Sequence, residues 1–281
     1  MAVENEVSDM TQNTPTTIHY CWFGGNALGD AERACIASWR EHCFGWQVKQ
    51  WDESNFDVRC NAFVAAAYER KKWAFVSDYA RFRVLYDEGG VYLDTDVELL
   101  HSLDALLAHA PYMGFERDAD ERAGVMGTVN AGLGMAFPPH HPFVKSVLDV
   151  YEHAEFPQEG NLGDYTVVEV VTSLLEQQGM KAVEGCQVVA GVTLLPRRYL
   201  DPMDRWTGDV DITPDTVSIH RYGASWVSRS AKLELSLVPK LIRLGLSRNR
   251  ACVLAKVLAV VVCFDVSRMR SFLGASARRN K

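Results

Sequence analysis

The sequence predicts an α/β fold, with a mainly parallel central sheet covered by helices on both faces and a basic, amphipathic helical tail at the C-terminal end. Three observations lead there. Short apolar runs of strand character alternate along the chain with segments of helical periodicity, the pattern of a parallel sheet buried between helices. A chain of 281 residues is long enough to bury a sizeable core, most simply as one large domain with an appendage. From Lys232 onward the composition turns from acidic to strongly basic.

Taken in order, residues 1–16 are polar and acidic, lack the basic and apolar regions of a signal peptide, and are expected to form a disordered lead. Residues 17–230 are expected to form the main domain. Ile18 to Phe23 predicts a first strand, Asp30 to His42 an amphipathic helix, Gln47 to Trp51 a second strand and Asn61 to Lys71 another helix. Over Trp73 to Glu88, Phe75, Val76, Tyr79, Phe82, Leu85 and Tyr86 recur at helical spacing, and Gly89-Gly90 supplies the stop, because glycine accepts the backbone angles of a helix C-cap. Val91-Tyr92-Leu93 then reads as a short buried strand. Pro111 to Phe115 and Ala131 to Phe137 predict strands around a polar loop, Pro142 to His153 and Val167 to Gln177 helices, and Val188 to Leu195 and Thr216 to Ile219 late strands.

Charge separates the tail, residues 231–281, from the rest. Lys232 to Lys281 hold eleven Lys/Arg against Glu234 and Asp265, a net of +9, which leaves −16 on residues 1–231 and −7 overall. The acidic balance argues against general nucleic-acid binding. The apolar run Ala251 to Phe264 contains Lys256 and is too short and too charged for a transmembrane span. Basic and apolar features together suit the surface of an anionic membrane leaflet, with a pair of helices packed on the main domain as the plainer alternative. Seven cysteines form no CxxC pair, which suggests free thiols in a reducing cytoplasm rather than a disulfide framework or zinc site.

The most informative segment is Ser77-Asp78-Tyr79-Ala80-Arg81 followed by Glu88-Gly89-Gly90-Val91-Tyr92-Leu93-Asp94-Thr95-Asp96. Asp78 and Arg81, three apart, share a helix face, as a surface ion pair also would. Asp94 emerges at the carboxyl end of a buried strand, where open α/β sheets bind ligands. Two carboxylates so close repel one another unless a divalent cation sits beside them, so Asp94-Thr95-Asp96 reads as a metal-diphosphate site, with a polar turn as the plain alternative.

The run SDYARFRVLYDEGGVYLDTD resembles the signature of the DxD-containing glycosyltransferases of family 32, the bacterial capsular-polysaccharide and fungal initiating mannosyltransferase group, and more distantly the large clostridial glucosylating toxins. Ile18-His19-Tyr20-Cys21-Trp22-Phe23-Gly24-Gly25 looks like that family's opening strand and nucleotide loop, and Ile219-His220-Arg221-Tyr222-Gly223-Ala224-Ser225-Trp226 like its closing His-x4-Ser-Trp element. The likeness spans about residues 17 to 227, with the three motifs in the expected order.

The resemblance implies a GT-A-type nucleotide-binding sandwich and retention of anomeric configuration. It implies Mn²⁺ or Mg²⁺ held by Asp96, by Asp94 directly or through water, and by His220 as a further ligand or diphosphate contact; the family more often shows a second histidine where Arg221 stands. Asp78 and Arg81 would hold the donor sugar, with Asp94 near its hydroxyls. Trp22 would stack on the base above Gly24-Gly25, Ser225 and Trp226 would close over the diphosphate, and Asn130 would face donor or acceptor. Expected partners are a UDP-sugar, with a GDP-sugar as the alternative, and a glycan or lipid-linked glycan acceptor, with residues 232–281 against an anionic membrane. The expected location is cytoplasmic, peripheral on the inner face of the plasma membrane. His140-His141 invites a metal reading but fits helix entry at Pro142 better.

Two other readings bear on the same residues. Leu93-Asp94-Thr95-Asp96-Val97 satisfies the strand-DxDx(T/V) pattern of haloacid-dehalogenase phosphatases, with Asp94 as nucleophile and Gly208-Asp209-Val210-Asp211 as a later acidic pair; no convincing Lys motif lies between them. A non-catalytic nucleotide-sugar-binding protein would keep the same site without turnover.

Overall fold

The computed structural model describes residues 14–157, 163–223 and 228–265. They divide into two compact units, Met1–Pro202 with Asp211–Arg221, and Met203–Val210 with Tyr222–Lys281.

The first unit is built on a seven-stranded sheet. Its strands are β1 (Thr17–Cys21), β2 (Gln47–Trp51), β3 (Gly90–Tyr92), β5 (Tyr112–Arg117), β6 (Thr128–Phe137), β7 (Gln187–Val189) and β8 (Val192–Leu195), in the order β2-β1-β3-β6-β5-β8-β7. β1 runs parallel to β2 and β3, and β5 parallel to β8, while β6 is antiparallel to both β3 and β5 and β7 to β8. Five strands therefore share one direction, and the sheet is mainly parallel, as the alternating sequence pattern predicts. A separate two-stranded antiparallel ribbon pairs β4 (Val97–Leu99) with β9 (Ser218–His220), placing Val97 opposite His220.

Both faces of the sheet are covered, as the alternating elements predict. Successive side chains of a strand point to opposite faces. Ile18, Tyr20, Val91 and Leu93 accordingly join a core with Ile36 and Trp39 of helix α1 (Asp30–His42), and with Val97 and Leu99 of the ribbon. Cys21 and Tyr92 join the opposite core, against helices α2 (Ala62–Glu69), α3 (Trp73–Glu88), α4 (Pro142–His153) and α5 (Val167–Gln177). The largest side chains in these cores, among them Trp39, Phe63, Phe82 and Tyr151, are fully buried. At about 25 cal/mol per Å² of apolar surface removed from water, such residues dominate the stability of the unit.

Local signals set the helix ends. Asn61 Oδ1 accepts from Val64 N (2.9 Å) at the start of α2, and Thr166 caps α5 through Glu169 N. His141, read as a helix-entry residue, accepts from Phe143 N through Nδ1 ahead of Pro142. Gly89 ends α3 at φ 67°. Its carbonyl lies 3.0 Å from His19 Nε2, while Trp51 Nε1 donates to His19 Nδ1 at 3.0 Å. A neutral His19, pushed down to about 4 mainly by burial, thus ties β2 to the α3–β3 junction.

One predicted element needs correction. Val188 to Leu195 is not a single strand but the β7–β8 hairpin, turned at Ala190 (φ 53°) and Gly191 (φ 74°). Both turn residues take positive φ, as a two-residue type I′ turn requires.

Among the described residues the second unit contains a helical pair, α6 (Arg229–Arg243) and α7 (Arg248–Val262), with a small core of Val238, Ala251 and Ala255 joined by Trp206, Leu241 and Leu246. Arg248 lies over the Trp206 ring at 3.6 Å, and Arg243 pairs with Asp209 at 2.8 Å.

Candidate active site

The chain leaves β3 at Tyr92, and Leu93 N still bonds to His19 O (3.1 Å), so Asp94 is delivered at the carboxyl end of the strand. Asp94 N donates to Gly132 O (3.1 Å) and Val97 N to Asp94 O (3.0 Å), which closes a tight turn around the buried Thr95 and points Asp94 and Asp96 to one side. The ribbon brings the third member. With Val97 opposite His220 and Arg221 N donating to Asp96 O (2.8 Å), the imidazole arrives beside Asp96, Nε2 to Oδ1 at 3.1 Å.

One ligand atom each from Asp94, Asp96 and His220 lies within 4.8 Å of the others. Two carboxylates and an imidazole form a donor set suited to a hard divalent cation, the imidazole being better tolerated by Mn²⁺ than by Mg²⁺. Burial disfavours the His220 imidazolium, but the negative charges of Asp96, Asp94 and Asp201 outweigh that cost and raise His220 to about 9. These carboxylates thus favour a positive charge at the His220 position. This donor set fits a divalent metal.

Asp94 belongs to a second group as well. Arg81 Nη2 lies 2.9 Å from Asp78 Oδ1 and 3.3 Å from Asp94 Oδ1, and the Tyr92 hydroxyl donates to Asp94 Oδ1 at 2.9 Å. The Arg81 guanidinium also covers the Tyr92 ring at 4.8 Å. Asp78 and Arg81 are both buried, so they form no surface pair. Burial drives the Asp78 carboxyl up to about 7, against the pull of Arg81, with the charge of Asp94 adding to the rise and a hydrogen bond from Val167 N at the start of α5 opposing it. Burial also opposes the charge on Arg81, but Asp94, Tyr92 and Asp78 more than offset it and hold the guanidinium protonated.

The sequence reading did not single out Tyr92 or Gly132. Tyr92 was detectable by its i,i+2 spacing from Asp94, which puts both on one face of the strand. Gly132 was not, because its role arises from β6 lying beside β3. A Cβ at Gly132 would come within 2.9 Å of Asp94 Cγ, so glycine leaves the space this carboxylate fills. Asn130 Oδ1 accepts from Gly132 N at 2.8 Å, placing Asn130 beside this cradle.

The Gly24–Gly25 loop follows β1 on the same unit. With Asn26, Glu53, Tyr68, Lys71 and Trp73 it lines a cavity of about 670 Å³. Gly24 (φ 98°) donates from its amide to Glu53 Oε1 at 2.7 Å, and a Cβ there would meet Trp73 Nε1 at 2.7 Å. Trp22 follows β1 half-buried, its Nε1 donating to Asn26 O (2.6 Å). Glu53, Tyr68, Lys71 and Trp73 are lining residues the sequence reading missed, coming from the β2–α2 turn and the α2–α3 junction. Arg221 pairs outside the Asp94–Asp96–His220 group: its Nε donates to Glu98 Oε2 at 2.7 Å. Ser225 and Trp226 lie outside the described residues.

Residues 29–113 match the family model described as the glycosyltransferase sugar-binding region containing the DXD motif. The match takes in Asp78, Arg81, Asp94 and Asp96 and supports a sugar transferase. None of the curated proteins matches the chain in sequence. Among solved structures, the chain is similar to one titled "PaToxG Glycosyltransferase", at 16% identity and TM-score 0.44, covering 63% of this chain and 76% of that one. It is also similar to a transferase solved as a double cysteine-to-serine mutant, at 12% identity and TM-score 0.35, covering 60% of this chain and 88% of that one.

Proposed function

We propose that the chain is a metal-dependent, retaining glycosyltransferase of family 32, a hexosyltransferase that moves a sugar from a nucleoside-diphosphate donor, a UDP-sugar in preference to a GDP-sugar, to a cell-surface polysaccharide or glycolipid acceptor. The observation that carries this reading is the sharing of Asp94 between a three-ligand cation site and the buried Asp78–Arg81 pair. A cation site alone would suit many chemistries. Joined to a buried carboxylate–guanidinium pair and a sugar-binding-region match, it fits a sugar diphosphate best.

The residues divide the work. Asp94, Asp96 and His220 would hold Mn²⁺ or Mg²⁺, which when bound supplies charge neutralisation to the departing diphosphate. Arg81 donates to a sugar hydroxyl or phosphate oxygen, and Asp78 accepts from sugar hydroxyls when ionised or donates to one when protonated. Tyr92 and Gly132 keep the Asp94 carboxylate in place. Retention would follow front-face attack by the acceptor hydroxyl, its proton passing to the leaving phosphate oxygen.

The test is hydrolysis and transfer across a panel of UDP- and GDP-sugars with Mn²⁺, comparing wild type with Asp96→Asn. One donor turned over by the wild type, and lost in the variant and under chelation, is the expected result. Mn²⁺-dependent nucleotide binding without turnover in the presence of acceptor glycans would favour a sensor. Folded protein that neither binds nor turns over any donor would overturn the reading, and a covalent sugar trapped on the enzyme would overturn front-face attack.

A further inference from the structure

Helix α7 of the second unit repeats one pattern along its length. Ala251, Ala255 and Ala259 are buried, and Ala251 and Ala255 belong to the core shared with α6. The residues between them point outward: Val253 (55% exposed), Leu254, Val257, Leu258, Val261 and Val262 (64% exposed), with Phe264 beyond the helix end 88% exposed. Positions i, i+1, i+4, i+5, i+8 and i+9 share one side of an α-helix, so these form a continuous apolar stripe about 14 Å long. The helix is inside out by the usual rule, with alanines within and valines and leucines outside. A contiguous exposed apolar face of this kind marks an interaction surface.

We infer that this stripe is the docking face by which the protein lies on an anionic lipid bilayer. Charge selects that occupant. Arg250, exposed and three residues before Val253, extends the stripe at its N-terminal end, and α6 and α7 together carry seven Lys/Arg against Glu234 alone. Two copies meeting through this unit would set two such net positive charges against each other, whereas anionic headgroups neutralise them while the acyl boundary takes the valines and leucines. No helix among the described residues is long and apolar enough to cross a membrane, so α7 lies in the plane of the interface. The inference does not depend on the transferase reading.

The test is co-sedimentation of the full chain with phosphatidylcholine vesicles, with and without about 30 mol% phosphatidylglycerol. Wild type is expected to bind the anionic vesicles at least tenfold more strongly than the neutral ones. Val257→Asp combined with Val261→Asp is expected to lose at least tenfold in binding with an unchanged thermal transition, since both side chains are exposed. Arg250→Glu, together with raising salt from about 0.15 to about 1 M, separates the charge contribution from the apolar one. Folded wild type left in the supernatant, or a double variant that binds as wild type does, would overturn the proposal. So would a dimer in sedimentation velocity that the double variant converts to monomer, because a second copy would then be the occupant.

Discussion

Gly132 on β6 and Asp94, two residues past the end of β3, occupy adjoining space: the Gly132 carbonyl accepts the Asp94 amide, and the missing side chain of one leaves room for the carboxylate of the other. A methyl group at Gly132 cannot be added without moving that carboxylate away from Tyr92 and Arg81. Gly132→Ala is therefore expected to keep the fold but weaken Mn²⁺ binding and turnover by about 10- to 100-fold, on the scale of other disturbed ligand supports. Calorimetric Mn²⁺ titration checks this; wild-type affinity in the variant would refute the cradle.

On the metal-dependent reading, any proton that the neighbouring carboxylates hold on His220 must leave before the imidazole can act as a ligand. With its imidazole raised to about 9 in the absence of metal, apparent Mn²⁺ affinity should rise with pH through the neutral range and level off near 9, with about one proton released per ion at pH 7. Titration in two buffers of different ionisation enthalpy measures that proton. His220→Gln should bind more weakly and release none from this position.

Asp78 makes stability depend on pH in the opposite sense to an ordinary salt-bridged carboxylate. Its pKa rises from 3.8 in the unfolded chain to about 7 in the fold. The folded state thus binds the extra proton between those values, and stability from this group is full below pH 4 and lost as pH climbs toward 7. Asp78→Asn should remove that slope, a difference on the order of a few kcal/mol between its ends. Denaturant titrations of both proteins from pH 5 to 8 would show it, and parallel curves would count against it.

Arg221 offers a contrast. Its guanidinium pairs with Glu98 on the half-exposed face of the ribbon, where an ion pair contributes about 0–1 kcal/mol. Arg221→Ala should leave Mn²⁺ affinity within about twofold and lower stability by less than about 1 kcal/mol. A large loss of metal binding would mean that the position does act as a ligand.

The helices were the most legible part of this chain. Asp30–His42, Trp73–Glu88, Pro142–His153 and Val167–Gln177 each carry their own period and their own punctuation, whether Gly89, Pro142 or the capping Thr166. What depended on distant pairing was not legible. Val97–Leu99 is too short to declare itself as a strand, and its partner Ser218–His220 comes more than 100 residues later. The β7–β8 turn was hidden because Ala190 holds a positive φ that its side chain does not advertise. The site shows the same division. Asp94 and Asp96 stand together in the sequence, whereas the contribution of Gly132 exists only where β6 lies against β3.

The order of the central sheet also limits how this protein can be taken apart. Residues 29–113, the portion with a recognisable sugar-binding signature, include β3 but neither of its sheet neighbours, since β1 ends at Cys21 and β6 begins at Thr128. Cut out and expressed alone, that stretch would lack both flanks of its aspartate strand and the histidine opposite Val97. The signature is a fingerprint rather than a transplantable cassette, and a chimera meant to carry the chemistry elsewhere would have to span from Thr17 to His220.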